Sequence, residues 1–197
     1  ELLLAQSYAR RDQVCVVGFR GTTAEVLLPP TKSLVRAKRC LSGLPGGGGT
    51  PLASAIEQCL QVALAEKRQG HSPSLVMLSD GRPNVTLQGQ GGRAQALEDA
   101  LTLARVWQRH QLPAIWLDTS ARPEPQAQQL AQAMGAQVQA GPGWLEVRRG
   151  AWPLRAIMAP AGPGAAPASS AMVFHSPQLS HRPDHLLVTA PQDWQTK

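Results

Sequence analysis

Cysteine, aromatic residues and long apolar runs are what this sequence has least of. Cys15, Cys40 and Cys59 are odd in number and widely spaced, with no C-x-x-C pair and no histidine cluster beside them. That excludes a disulfide framework and a zinc knuckle, and points to a reducing compartment with ordinary thiols. Two Phe and one Tyr accompany five Trp, so the core must rest on Leu, Val and Ala. The aromatic interleaving of a nucleic-acid surface is missing as well. No apolar stretch approaches the roughly 20 residues of a membrane span. Glu1-Leu2-Leu3-Leu4 lacks a basic leader and an initiator Met, which excludes a signal peptide and reads as the middle of a longer protein.

What is present suits one globular domain plus some extra length: 197 residues, 43% hydrophobic and 16% charged. The net charge of +6 is spread over short groups, Arg10-Arg11, Arg36-Ala37-Lys38-Arg39 and Arg148-Arg149. Such a distribution favours a basic face for an acidic protein partner over a DNA site.

Two stretches organise the chain. Leu44-Pro45-Gly46-Gly47-Gly48-Gly49-Thr50-Pro51-Leu52 is a glycine loop opening an amphipathic helix, with Thr50 as the expected N-cap and Pro51 as the first helical residue. Leu75-Val76-Met77-Leu78-Ser79-Asp80-Gly81 is a buried strand that stops at an acid. Ligands collect at such strand ends in open α/β sheets. The Thr50 hydroxyl and the Asp80 carboxylate are hard oxygen donors of the kind Mg²⁺ accepts. A phosphate-binding loop is disfavoured, because Gly49 stands where the Walker pattern requires Lys.

In chain order, residues 1 to about 11 read as the end of a helix with Leu3, Leu4, Ser7 and Tyr8 on one side. Val14–Phe19 and Ala24–Leu28 form an antiparallel edge hairpin, the second strand ended by Pro29-Pro30. Ser33 caps a helix to about Leu41 with Leu34, Val35 and Leu41 inward and Arg36, Lys38 and Arg39 outward. Helices follow at Pro51–Arg68, 93–110 and Pro123–Met134, strands at Leu75–Leu78, Pro113–Asp118 and Ala136–Ala140, and a Gly/Pro/Asn-rich surface loop at Asp80–Gly92. Alternating strands and helices imply a mostly parallel sheet covered on both faces, a Rossmann-like three-layer α/β sandwich over residues 1–140.

Residues 141–197 lose this pattern and read as an irregular or weakly ordered tail. Trp144–Ile157 is helical in part but interrupted by Gly150 and Pro153, Ala159–Pro167 is linker-like, and Pro183 spoils the i, i+4 spacing of His181 and His185.

Several blocks agree, in order, with one family. Gly18-Phe19-Arg20-Gly21, Leu27-Leu28-Pro29-Pro30-Thr31, Ser33 to Arg39, Leu44 to Leu52, and Leu78-Ser79-Asp80-Gly81-Arg82-Pro83-Asn84 resemble the C-terminal von Willebrand factor A domain of magnesium chelatase D subunits. The resemblance implies a metal-ion-dependent adhesion site, in which Thr50 and Asp80 match two of three ligand elements for Mg²⁺. The third, a D-x-S-x-S motif closing a central first strand, is absent. Weak or no metal binding is therefore expected of this chain. It also implies a non-catalytic platform in a complex that inserts Mg²⁺ into protoporphyrin IX, in the bacterial cytoplasm or plastid stroma. Partners would be the I subunits of an AAA+ ring, other D subunits and the porphyrin-binding H subunit. ATP would act only through AAA+ modules outside this stretch. The partner-facing residues by this reading are Arg36, Lys38, Arg39, Gly81 and Arg82. A stand-alone adhesion domain, a cobalt chelatase subunit and a nucleotide-binding enzyme are the alternatives.

Overall fold

The computed structural model describes residues 7–8, 11–42, 48–120, 122–140 and, in backbone, 168–175. Six strands form one sheet in the order β2-β1-β6-β3-β4-β5. They are β1 (Gln13–Arg20), β2 (Thr23–Thr31), β3 (Ser72–Ser79), β4 (Ala114–Asp118), β5 (Gln137–Ala140) and β6 (Ala168–His175). Only β1 and β2 run antiparallel, around a two-residue turn in which Gly21 takes φ of 65°. The other pairings are parallel, as the alternation of strands and helices required. β2 continues through Pro29 and Pro30 to Thr31; prolines are tolerated there because β2 is an edge strand with one side free of pairing.

The helices are α1 (Leu34–Ser42), α2 (Leu52–Arg68), α3 (Arg93–Arg109) and α4 (Pro125–Met134). One face of the sheet, with Cys15, Val17, Phe19, Leu75, Met77 and Trp116, packs on α2, α3 and α4 through Leu52, Ile56, Cys59, Trp107 and Leu130. On the other face, Val14, Val16, Val76, Ile115 and Leu117 cluster with Ala37 of α1. Trp107 is fully buried, and its indole N–H donates to the Leu112 carbonyl at 2.9 Å, which satisfies the one polar atom that burial would strand.

Three local expectations need correction. Val35 is 67% exposed and Ala37 takes the inward position on α1; the basic residues force the apolar stripe of this short helix to be narrow. Of the two described residues of the first segment's apolar side, Tyr8 is exposed and only Ser7 is buried. Thr50 does not cap α2: Pro51 holds the cap position without a side-chain bond, and the Thr50 carbonyl accepts from Leu52 N–H. Ser33 does cap α1, its hydroxyl accepting from Arg36 N–H at 3.3 Å.

β6 comes from the stretch read as a tail, and it lies in the middle of the sheet. It pairs with β1 from Gln13↔Ser169 to Phe19↔His175 and with β3 from Ser72↔Ala168 to Leu78↔Phe174. The resemblance put a first strand with D-x-S-x-S at a central position, and β6 occupies a central position here. The interrupted helix at Trp144–Ile157, the linker at 159–167 and the His181/His185 pair lie outside the described residues.

Candidate functional site

The parallel strands end on one edge, where Asp80 follows β3 and Asp118 closes β4. Ser79 closes β3 and Asp118 closes β4 as register partners, 0% and 1% exposed. The Ser79 hydroxyl accepts from Gly81 N–H at 3.1 Å, and Asp80 Oδ1 accepts from Arg82 N–H at 3.1 Å, so two successive side chains fold the chain sharply back. Gly81 has φ of 70°, and a Cβ there would sit 2.5 Å from Ala127 of α4. This position therefore requires glycine twice over, for conformation and for space.

Thr50 arrives from the opposite side, at the start of α2, and is 2% exposed. Asn84 connects the two loops. Its side-chain carbonyl accepts from Thr50 N–H at 2.7 Å, while its own N–H donates to the Thr50 carbonyl at 3.3 Å. Gly49 fits under the same junction, where a Cβ would lie 2.3 Å from the Gly21 carbonyl and 2.6 Å from Val85. The glycine run is thus used for close backbone approach to neighbouring loops. Residues 43–47 of that run lie outside the described residues.

A second set of contacts holds the Asp80 loop from the α4 side. Nε of Arg82 donates to Glu124 Oε2 at 2.7 Å, and Nη2 forms an ion pair with the same oxygen at 2.6 Å. That hydrogen bond, and then the charge of Glu124, raises the Arg82 guanidinium above its usual value. Glu124 is placed in turn by Asp118, whose Oδ2 accepts from Glu124 N–H at 3.2 Å and whose Oδ1 accepts from Ser120 N–H at 2.9 Å. Sequence reasoning missed Asn84, Asp118 and Glu124. The available signals were an Asn within a Pro-Asn turn and a second strand, Ile115 to Asp118, ending on Asp.

The residues singled out from the sequence do not all meet. Thr50, Asp80, Gly81 and Arg82 share the C-terminal edge of the sheet. Gly81 is buried against α4 and shapes the turn, whereas Arg82 is 63% exposed in its side chain. Arg36, Lys38 and Arg39 are exposed on α1, which covers the sheet face opposite to α2.

As a Mg²⁺ site the described residues are incomplete. Thr50 and Asp80 are two donors, one Asp80 oxygen is already engaged by Arg82 N–H, and among the described residues no group of three His, Cys, Asp or Glu is arranged to hold a metal ion. Mg²⁺ demands near-octahedral oxygen coordination, which this set does not supply. The buried thiols are inert in character: burial pushes Cys15 up to about 12 and Cys59 well above its ordinary value.

Comparison with known proteins bears on this arrangement directly. The sequence model for the von Willebrand factor type A domain matches residues 1–82. Residues 1–82 are thus similar to a von Willebrand factor type A domain. It is 52% identical over 136 residues to the magnesium-chelatase 60 kDa subunit of Cereibacter sphaeroides, covering 69% of this chain and 24% of that one. The 60 kDa subunit of Rhodobacter capsulatus is 46% identical over the same length and the same shares. The 67 kDa subunit of Chlorobaculum tepidum is 37% identical over 143 residues, 68% of this chain and 23% of its own. The chain thus spans about a quarter of the length of these curated relatives. No described helix is long and apolar enough to cross a membrane.

Proposed function

We propose that this chain is the interaction module of an ATP-dependent magnesium chelatase, a non-catalytic platform through which subunits assemble. The observation that carries the reading is the 52% identity over 136 residues to a magnesium-chelatase 60 kDa subunit. The site's construction supports it. Two loops from different parts of the chain are tied together at the exposed end of a parallel sheet, and the residues around them are turn-formers and ion pairs.

In this reading the edge formed by Thr50, Asp80 and the loop through Gly92 faces the partner. Arg82 offers a cation at its rim, and Arg36, Lys38 and Arg39 form a separate basic surface that steers an acidic partner. Thr50 and Asp80 would contribute two ligands to a metal-ion-dependent adhesion site completed by a D-x-S-x-S element, with a partner's carboxylate on the open position.

The test is capture of the AAA+ I subunit by this domain carrying a restored D-x-S-x-S strand, in Mg²⁺ and then in EDTA. Metal-dependent capture that Asp80→Ala abolishes supports the adhesion site. Capture that ignores both the metal and Asp80 moves the docking face to α1, and no capture under either condition rejects the module as the I-subunit contact.

A further inference from the structure

Acids and cations are used differently at the C-terminal edge of the sheet. Asp118 is buried, with both oxygens committed to the backbone of Ser120 and Glu124. Glu124 is paired with Arg82, and Asp80 accepts from Arg82 N–H. Asp99 accepts from Leu87 N–H at 2.9 Å and from the Gln95 amide at 2.8 Å. Each of these acids holds a loop together. Arg20 at the end of β1, Arg93 at the start of α3 and Arg122 between β4 and α4 are all exposed. The ion pairs between described residues, His71 with Glu66 and Arg82 with Glu124, include none of the three. Glu25 lies two residues inside β2, opposite Gly18.

The loops that carry these arginines form one surface. A Cβ on Gly49 would lie 2.3 Å from the Gly21 carbonyl, and one on Gly89 would lie 3.6 Å from Thr22. Gly92 N–H, beside Arg93, donates to the Asn84 carbonyl at 3.2 Å, and the Arg122 carbonyl accepts from the Ser120 hydroxyl. β1 and β4 stand three strand spacings apart in the sheet, so the row from Arg20 to Arg122 runs about 14 Å, the length of about four extended residues. Basic residues also occupy the opposite edge, but there Lys67, Arg68 and Arg109 lie in the last turns of α2 and α3, where the helix dipoles favour them. Arg93 opens α3 with no acid in the first turn, the end at which a cation is disfavoured. The fold leaves positive potential at this edge without the offset it provides at the other.

We infer that Arg20, Arg93 and Arg122 form a docking row for an extended acidic segment of a protein partner, recognised without a metal ion. The guanidinium fork suits this role because it takes a carboxylate through two parallel hydrogen bonds. A peptide is favoured over a nucleic acid by what lies beside the row. Leu87 is 42% exposed, in a turn closed by Thr86 N–H to the Gln90 carbonyl at 2.8 Å and Gly89 N–H to the Thr86 carbonyl at 2.9 Å. Asp99 fixes its own N–H. A rigid apolar side chain next to cations anchors a peptide side chain. The exposed aromatic among the described residues, Tyr8, precedes β1 at the opposite edge, so base stacking has no platform here. The inference rests on the proposed partner-facing role of this edge, and adds to it the chemistry of the partner.

The experiment titrates the full chain, in EDTA, into a fluorescein-labelled peptide of Glu residues around one central Leu, followed by fluorescence anisotropy. The same peptide with Gln in place of Glu and a labelled oligothymidylate serve as comparison probes. Saturable binding of the acidic peptide is expected, weakening as salt is raised. Arg20→Gln, Arg93→Gln and Arg122→Gln combined should weaken it about tenfold, and Leu87→Ala about threefold. Arg68→Gln with Arg109→Gln, the same loss of charge at the opposite edge, should leave it unchanged. The inference is overturned if the acidic peptide does not bind, if the Gln peptide binds equally, or if the two sets of arginine variants lose affinity alike. Tighter binding of the oligothymidylate than of the peptide overturns it as well. Because the probe is a peptide and the metal is removed, failure here leaves Mg²⁺-dependent capture of the I subunit standing, and failure of that capture leaves peptide binding standing.

Discussion

Asn84 grips Thr50 from both sides of one peptide position, accepting from its N–H at 2.7 Å and donating to its carbonyl at 3.3 Å. Two loops separated by a helix and a strand in sequence thereby become one surface. Asn84, from the loop that follows Asp80, fixes the position of Thr50.

Asn84→Ala should therefore cost more than an average surface substitution. It removes one side-chain bond and strands a largely buried N–H, at about 1–2 kcal/mol. Urea unfolding should show a lower midpoint with unchanged slope, and amide exchange at Thr50 should rise while exchange in β4 changes only by the global loss.

Gly81→Ala meets two penalties together, φ of 70° and a Cβ at 2.5 Å from the Ala127 backbone. Strain of this kind costs about 1–3 kcal/mol before any clash is counted. A drop in urea midpoint larger than that of Gly70→Ala is expected, since Gly70 has φ of 83° but open space around it. Equal losses would show that conformation alone matters at position 81.

Arg82 and Glu124 form a solvent-facing pair, with side chains 63% and 18% exposed. Glu124→Gln should change global stability by less than about 1 kcal/mol. Its effect should shrink further in high salt. A larger, salt-insensitive loss would mean that Glu124 acts through the backbone of the loop that Asp118 holds.

The thiols give a signed pH dependence. Burial, with smaller contributions from Glu66 and Cys40, raises folded Cys15 from 9.0 to about 12. Below 9.0 the thiol is neutral in both states and its contribution is complete. Between 9.0 and about 12 the unfolded chain ionises and the folded chain does not, so stability falls as pH rises. Cys15→Ala should unfold with a shallower loss between pH 8 and pH 10.5 in denaturant titrations, and in the native protein a thiol reagent should modify half-buried Cys40 before Cys15 or Cys59.

Much of the fold was readable because it follows from periodicity. The apolar spacing of α2 and α3, the continuous β-prone runs of β1, β3 and β4, and the glycine after α4, with φ of 69° at Gly135, are local patterns that physical chemistry ties to one conformation. The edge hairpin followed from the shortness of its turn, and the placement of Thr50 and Asp80 at one edge of the sheet followed from the ends of a loop and a strand. Errors arose where a neighbour in space overrode the local rule. Val35 belongs to an apolar stripe by spacing, yet Ala37 is what fits against β1, and Thr50 has the chemistry of a cap but is held by Asn84 instead.

The sequence by itself determined the strands and helices over residues 13–140 and the open α/β class, because each depends on residues adjacent in the chain. Tertiary structure alone decided that Asn84, Asp118 and Glu124 organise that edge, and that Ala168–His175 completes the centre of the sheet. A strand with a short, mixed pattern has no conformation of its own; the unpaired backbones of β1 and β3 supply the hydrogen bonds that make it one.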